Sequence, residues 1–426
     1  MIRILLLSDI HFIHCEADEN EYRSLETAFI EAMDDVRELG GINQILICED
    51  IANKGQESEY QTAEDFLKKV FDRLSCDEKR TQVYVVPGNH DVNRDSYKTT
   101  RLAWRSTLLD ESKADDFMYD AKHKETDTLK ICYSPFNEFY KFANKHSSLD
   151  GIAEAIFSDA PNFNNKSFRK EVQLGVLDNY VVKLHCLNSA LICDKNDVND
   201  PRDLKEDEHM LYIPKYAYNV DTDSTIVNIL LMHHPLAWFY NEDALRTEFD
   251  HKFKLQIFGH VHQQSIFQDK EGKTAIRLQV GSLQPGKDGD AEKYQPVFNI
   301  LELDVVRGVL KVKVTCYCWD GETFNKDDRF SYLKKVALRR KSCRTVKQKE
   351  EVRKMKTADL TIDDLYALRY RFFNSEHIKE VICDINPKAY NEYKEEYVNA
   401  MLFFRTISSN SEIIKKLETT LTKYGD

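Results

Sequence analysis

No stretch of this 426-residue chain comes near the ~20 consecutive apolar residues that a membrane-crossing helix needs, which argues against a helical membrane protein. The stretch most like a leader, Met1 to Asp9, has only about six apolar residues, where a secretory core has ~7–15. It runs into charge without a small-residue cleavage site, so it reads as a buried first strand and the protein is expected to be cytoplasmic. Regular cysteine spacing is lacking as well. The ten cysteines are scattered, which excludes a disulfide framework and leaves reduced, packed thiols. Cys316 and Cys318 lie two apart on a predicted strand, without the second pair that a zinc site requires. There is no internal repeat and no low-complexity tract. Positive charge is also short overall: the net charge is −12, a poor basis for gripping long duplex DNA nonspecifically.

What is present is the material of a globular protein, 42% hydrophobic and 11% aromatic, long enough for one large and one small domain. The first half alternates short apolar strands with helical stretches, as α/β layers do. Strands are expected at 2–7, 44–48, 82–86, 172–187, 225–232, 255–258, 275–280, 297–303 and 310–318, with a hairpin turn at Val306-Arg307-Gly308. Helices are expected at 22–39 and 59–74. Residues 95–170 break this rhythm and read as a helical, aromatic insertion over the site rather than as core. The strands are expected to stop near residue 330. A basic helical connector follows at 331–358, where residues 334–356 carry eleven Lys and Arg against two Glu. The last part, 359–426, has the caps and spacing of a small helical bundle, including Thr361, Asn386-Pro387 and Ser411 as start signals. Its aromatic stripe of Tyr390, Tyr393, Tyr397 and Phe404 reads as bundle core.

Five short segments, each after a predicted strand, carry the chemistry. They are Ser8-Asp9-Ile10-His11, Glu49-Asp50-Ile51-Ala52-Asn53, Gly88-Asn89-His90-Asp91, Met232-His233-His234-Pro235 and Gly259-His260-Val261-His262. Two adjacent divalent ions need donors from several segments and one bridging group. This set offers carboxylates, imidazoles and an amide, a mixture suited to manganese, iron, cobalt, nickel or zinc. Asp9 and His11 are two apart, as are His260 and His262, so on an extended strand end each pair projects to one side. A lone Asp-x-His or Gly-His-x-His is ordinary turn chemistry. Gly-Asn-His-Asp says more, because Pro87-Gly88-Asn89 makes the turn and nothing structural demands the His-Asp that follows. Of His233 and His234, which face opposite sides of an extended chain, only one can reach a metal. His14 and His185 lack any motif and read as structural.

The order Asp-x-His, Asp, Gly-Asn-His-Asp, His, Gly-His-x-His resembles the calcineurin-like metallophosphoesterase pattern. The resemblance implies an α/β fold, an αββα sandwich of two mixed β-sheets in a catalytic domain of residues 1–330, followed here by the small all-α domain. It implies two divalent metal ions, with manganese the leading candidate. Asp9, His11 and His262 would hold the first, Asp50 would bridge, and Asn89, His233 and His260 would complete the second. His90, held by Asp91, would act at the substrate phosphate or leaving group, and Asn53 would border the substrate. His234 would then support or pack. The implied reaction is hydrolysis of a phosphodiester or phosphomonoester, of a nucleotide or cyclic nucleotide, by a hydroxide held between the ions. In relatives a Gly-Ser such as Gly281-Ser282 often borders the site, although a plain turn is the simpler reading.

The family usually has glycine where Glu49 precedes the bridging aspartate. Tolerated divergence, altered metal or substrate preference, and impaired turnover all remain open. Two further functional readings follow. One is a nuclease on single-stranded or broken ends, with nucleic acid bound through 334–356. The other is a non-catalytic nucleotide sensor, weakened by Glu49. In either case 359–426 would dock a protein partner. No membrane partner is expected.

Overall fold

β1 (Ile2–Leu7) is apolar at nearly every position because its two faces enter two different cores. Ile4 and Leu6 point into the space between two sheets, whereas Leu5 and Leu7 meet the helices outside. The computed structural model describes residues 1–11, 19–48, 50–74, 81–93, 133–146, 169–193, 211–213, 215–269, 275–284, 295–338, 377–390 and 411–424, with single positions 96, 107, 113, 114, 116, 372 and 403. They form two units, residues 1–341 and 342–426.

In the first unit, α1 (Glu19–Glu38), β2 (Gln44–Ile47), α2 (Glu57–Leu74) and β3 (Gln82–Val85) follow β1 as alternating βαβ steps. The three strands pair in parallel, so the loops that leave them gather at one sheet edge. α2 carries Glu57 and Glu59 in its first turn and Arg73 in its last, matching the helix dipole. Its buried Tyr60, Ala63, Phe66, Leu67, Val70, Phe71 and Leu74 fall at helical spacing along one face. Phe66 stacks on Phe29 of α1 at 5.3 Å, and Phe29 meets Phe298 edge-on at 5.1 Å.

The sheet is completed by β10 (Val297–Val306), β11 (Val309–Trp319) and β12 (Phe324–Ala337), in the order β12-β11-β10-β1-β2-β3. The turn expected between β10 and β11 is there, with Arg307 at φ 54° and Gly308 at 74°. The second sheet holds β4 (Arg169–Leu177), β5 (Tyr180–Leu187), β6 (Ile226–Met232), β7 (Leu255–Phe258), β8 (Ser265–Phe267) and β9 (Ile276–Gln279), in the order β4-β5-β6-β7-β9-β8. Val182, Leu184, Ile229, Leu231 and Ile257 face Leu46, Leu303 and Val312 across the inter-sheet core. The expected two-sheet sandwich with helices outside it is therefore observed.

Four expectations need correction. The segment 172–187 is two strands, because Asp178 (φ 45°) and Asn179 (φ 68°) make a two-residue turn of the kind that closes a hairpin. Strands do not stop near residue 330. β12 continues to Ala337, and Lys334 and Lys335 pair with Val312 and Lys311 rather than starting a connector. Charge on that strand fits its place at the sheet edge, where it discourages pairing with other chains. Third, part of the supposed insertion is core. After a 3-10 turn at Ser134–Phe136, α3 (Asn137–His146) buries Phe139, Tyr140, Phe142 and Ala143 in the same cluster as α2. Fourth, the ligand pairs do not sit on extended chain, as described below.

Residues 339–356, Glu49 and His14 lie outside the described residues. In the first unit α4 (Glu242–Lys252) lies between β6 and β7; in the second, α5 (Ile378–Ile385) and α6 (Ser411–Tyr424) share a small core of Phe372, Ile378, Val381, Ile382, Phe403, Leu417 and Leu421. Ser411 does begin a helix. Asn386 caps the end of α5, and Pro387–Ala389 is a 3-10 turn. Tyr390 packs on this core, while Thr361, Tyr393, Tyr397 and Phe404 lie outside the described residues. No described helix is long and apolar enough to cross a membrane.

His185 is the structural histidine expected. The Asn228 amide donates to the carbonyls of Asp221 and Lys252, so its Oδ1 accepts and the Nε2 of His185, 2.8 Å away, must donate. Burial pushes its pKa down to about 4 from 6.5, chiefly against the pull of Asn228 and Glu171. Below about pH 6.5 the unfolded chain takes up a proton that the folded one refuses, so stability falls with pH until about pH 4. At pH 5 the loss from this residue comes to about 2 kcal/mol. Denaturant titrations near pH 7 and pH 5 are expected to show a shallower pH dependence in His185→Gln than in the wild type.

Candidate metal centre

The loops after β1, β2, β3, β6 and β7 meet at one end of the sandwich, and they bring all seven expected ligand residues together. Asp9, His11 and His262 each place a donor atom within 4.8 Å of the others, and so do Asp9, Asp50 and His233. The Nε2 of His262 is 3.2 Å from Oδ1 of Asp9. On the other side, the Nε2 of His233 is 2.7 Å from Oδ1 of Asn89 and 2.9 Å from Nδ1 of His260. Oδ2 of Asp50 lies between the two sets, 3.8 Å from Nε2 of His11 and 3.7 Å from Nε2 of His233. One proton on His233 cannot serve an amide oxygen and a second imidazole nitrogen equally, whereas a cation can. The donor set therefore fits divalent metal, with Asp50 in the shared position.

The backbone shows how the ligands are aimed. Among the described residues eight non-glycine residues have positive φ, and five are Asp9 (49°), His11 (45°), Asp50 (43°), His260 (71°) and His262 (59°). These left-handed turns cost about 1–2 kcal/mol each. They replace the extended strand ends anticipated from the sequence, because the chain must curl at each strand end to reach a common point. The strain is held by cross-links. The amide of His11 donates to the Asp50 carbonyl at 2.8 Å, that of His260 to Oδ2 of Asp9 at 3.3 Å, and Ser282 Oγ to the Asp9 carbonyl at 2.9 Å. Ser282 is buried, so Gly281-Ser282 braces Asp9 from behind.

Burial sets the electrostatics. It holds His233 and His234 well below the ordinary imidazole range and brings His260 down to about 3. Burial alone would raise Asp9, but His262, His11 and Ser8 hold its carboxyl at about 2. His233 and His260 thus present neutral imidazoles, and Asp9 an ionised carboxylate. His234 shares the cluster of the two histidines, with a ring nitrogen within 4.8 Å of donors on His233 and His260. Its Nδ1 is 3.0 Å from Ser189 Oγ and its Nε2 3.6 Å from Cys193 Sγ, which fixes the ring that packs edge-on against His233.

The expected role of Asp91 is corrected. Its carboxylate accepts from the amides of Ala52 (3.0 Å) and Gly88 (3.0 Å) and from the hydroxyl of Tyr60 (2.8 Å). It ties two ligand loops together, and burial raises it to about 6 against those donors. The Nδ1 of His90 instead meets Asn53, at 3.0 Å from its carbonyl and 3.2 Å from its Oδ1. Asn53, expected to border substrate, therefore orients His90. Tyr60 was missed because it reads as an ordinary core position of α2, and Ser189, Cys193 and Trp238 carry no motif.

Gly55 is where the two loops touch. It has φ +63°, and an added Cβ would stand 2.6 Å from the Asp91 carbonyl oxygen and 2.9 Å from the Asn93 amide nitrogen. Backbone cannot give way as a side chain can. Gly55→Ala is expected to lower stability by about 2–4 kcal/mol, read as a lower midpoint in thermal and denaturant unfolding.

A family model, the calcineurin-like phosphoesterase model, matches residues 2–264. A curated relative, the uncharacterized metallophosphoesterase-like protein YydB of Bacillus subtilis (strain 168), is 22% identical over 327 residues, 75% of this chain and 60% of its own length. This chain thus spans about three fifths of that relative. Among solved structures, a dimetal phosphatase from Danio rerio aligns at 13% identity with a TM-score of 0.38, covering 78% of this chain and 99% of that one. The purple acid phosphatase PPD1 from yellow lupin (Lupinus luteus) seeds aligns at 12% identity with a TM-score of 0.39, covering 79% and 53%. With the family model covering more than half of its length and every ligand motif, the chain belongs to the calcineurin-like phosphoesterases.

Proposed function

We propose that this protein is a phosphoesterase that hydrolyses a phosphodiester or phosphomonoester, with a nucleotide or cyclic nucleotide as substrate. The observation that carries this reading is the position of Asp50, one carboxylate oxygen facing two separate ligand sets at 3.8 and 3.7 Å. Asp9, His11 and His262 would hold one divalent ion, Asn89, His233 and His260 another, and Asp50 both. Such a pair of ions, manganese being the leading candidate, would polarise the phosphoryl oxygens and make water nucleophilic near neutral pH.

The chain's own groups do the rest. Asp50 also accepts the His90 amide on Oδ1 at 2.9 Å, which fixes the backbone of the residue beside the substrate. A carbonyl oxygen can only accept, so the Nδ1 of His90, facing the Asn53 carbonyl, carries the proton. In the imidazolium form Nε2 carries a second proton, and there it can act at the leaving oxygen as hydrogen-bond donor or general acid. Tyr60 and Asp91 keep the loops of Ala52 and Gly88 in register beneath it.

The test is hydrolysis of bis-p-nitrophenyl phosphate by purified protein loaded with manganese or nickel. Metal-stimulated turnover, abolished by a chelator and restored by metal, is expected. Metal-loaded protein inert toward a broad panel of phosphoesters would refute the reading.

A further inference from the structure

Trp238 stands beside the metal ligands, and neither the ligand motifs nor the hydrolytic chemistry uses it. Pro235 turns the chain into a 3-10 turn over Leu236–Trp238 immediately after His233. The position is pinned on both sides: the Trp238 amide donates to the Pro235 carbonyl at 3.1 Å, and the Leu211 amide donates to the Trp238 carbonyl at 2.8 Å. Its neighbours Leu236 and Phe239 are buried, at 3% and 0% exposure. Trp238 is only partly buried. Its ring lies 4.3 Å from that of His260, at 88°, and 5.9 Å from that of His234. Its indole N–H meets no hydrogen-bond acceptor among the described residues. A large aromatic ring is thus held rigidly against a ligand of the candidate centre, with surface and a donor left over.

We infer that Trp238 is a wall of the substrate cleft that takes the planar base of a nucleotide, and so sets preference for nucleoside phosphoesters over aliphatic ones. The inference rests on the phosphoesterase reading above. A base stacks on an aromatic face whatever its sequence identity, and such a contact changes affinity by about ten- to a hundredfold. The indole N–H can reach a base or phosphate oxygen in the same complex. The competing role is padding, in which the ring merely steadies His260. That role would affect all substrates alike.

The test compares two phosphodiesters with one leaving group, thymidine 5′-p-nitrophenyl phosphate and ethyl p-nitrophenyl phosphate, on manganese-loaded wild type, Trp238→Leu and Trp238→Phe. Expected is a wild-type preference for the thymidine ester in kcat/KM that falls about ten- to a hundredfold in Trp238→Leu, mostly through KM, and is largely kept in Trp238→Phe. Equal losses on both esters, or an unchanged ratio, would overturn the inference. A binding readout separates it from the hydrolytic reading. Adenosine monophosphate is expected to quench tryptophan fluorescence saturably in the wild type but not in Trp238→Phe, which keeps Trp104 and Trp319. If neither ester is cleaved, the phosphoesterase reading falls while the quench still decides Trp238. Absence of a wild-type quench overturns the role of Trp238 whatever the hydrolysis shows.

Discussion

Asp50→Asn is expected to reduce metal-dependent phosphoesterase activity by at least about a thousandfold, the equivalent of roughly 4 kcal/mol of transition-state stabilisation, and to lower the metal content of the protein. The reason lies in the two oxygens. Oδ1 accepts the His90 amide at 2.9 Å, so an asparagine would keep its carbonyl oxygen there and could not present its NH2 to that N–H. The NH2 would then occupy the place of Oδ2, facing His11 and His233. An amide nitrogen has no lone pair to give a cation and carries no charge, so the shared position is lost while the loop stays anchored. Folding is expected to survive, because a buried charge is removed and the hydrogen bond to His90 remains. Activity on bis-p-nitrophenyl phosphate, metal analysis and thermal unfolding together check this. Near-normal turnover in a metal-replete Asp50→Asn protein would contradict it.

His90→Ala is expected to reduce kcat by about 10²–10⁴-fold with metal content unchanged. His90 sits 4.7 Å from the His11 ring, edge to face, with a donor atom within 4.8 Å of donors on His11 and Asp50. The loss should depend on the leaving group. p-Nitrophenolate departs with little need of a proton, whereas an alkoxide needs one, so esters of poorer leaving groups should suffer most. Asn53→Ala, which removes the Oδ1 contact but leaves the carbonyl contact to Nδ1, is expected to cost less in kcat and little in KM. An equal loss on all leaving groups would assign His90 to binding the phosphate instead.

The two-layer fold and the convergence of the seven candidate residues are legible because they depend on local signals. Buried strands are continuous apolar runs, and each ligand motif follows one directly. What could not be read is what depends on distant partners. Nothing around Asp91 says that its carboxylate would go to Ala52, Gly88 and Tyr60 rather than to its neighbour His90, since Tyr60 lies on a helix 31 residues away in sequence. The left-handed turns at Asp9, His11, Asp50, His260 and His262 break the usual preference of non-glycine residues. Propensity points away from them, and only convergence on a common site explains them. β12 was hidden for a different reason: edge strands carry charge, and charge in a row reads as a solvated connector. The β4–β5 hairpin was within reach, since Asp178-Asn179 is a turn pair between two apolar runs.

Phosphoester hydrolysis by this chain requires two ligand sets to converge on a shared carboxylate. The direct measurement is anomalous diffraction from crystals of the full chain grown with manganese. Two peaks are predicted, one against Asp9, His11 and His262, the other against Asn89, His233 and His260, with Asp50 touching both. No peak among these residues, or a single peak that Asp50 does not touch, would contradict it.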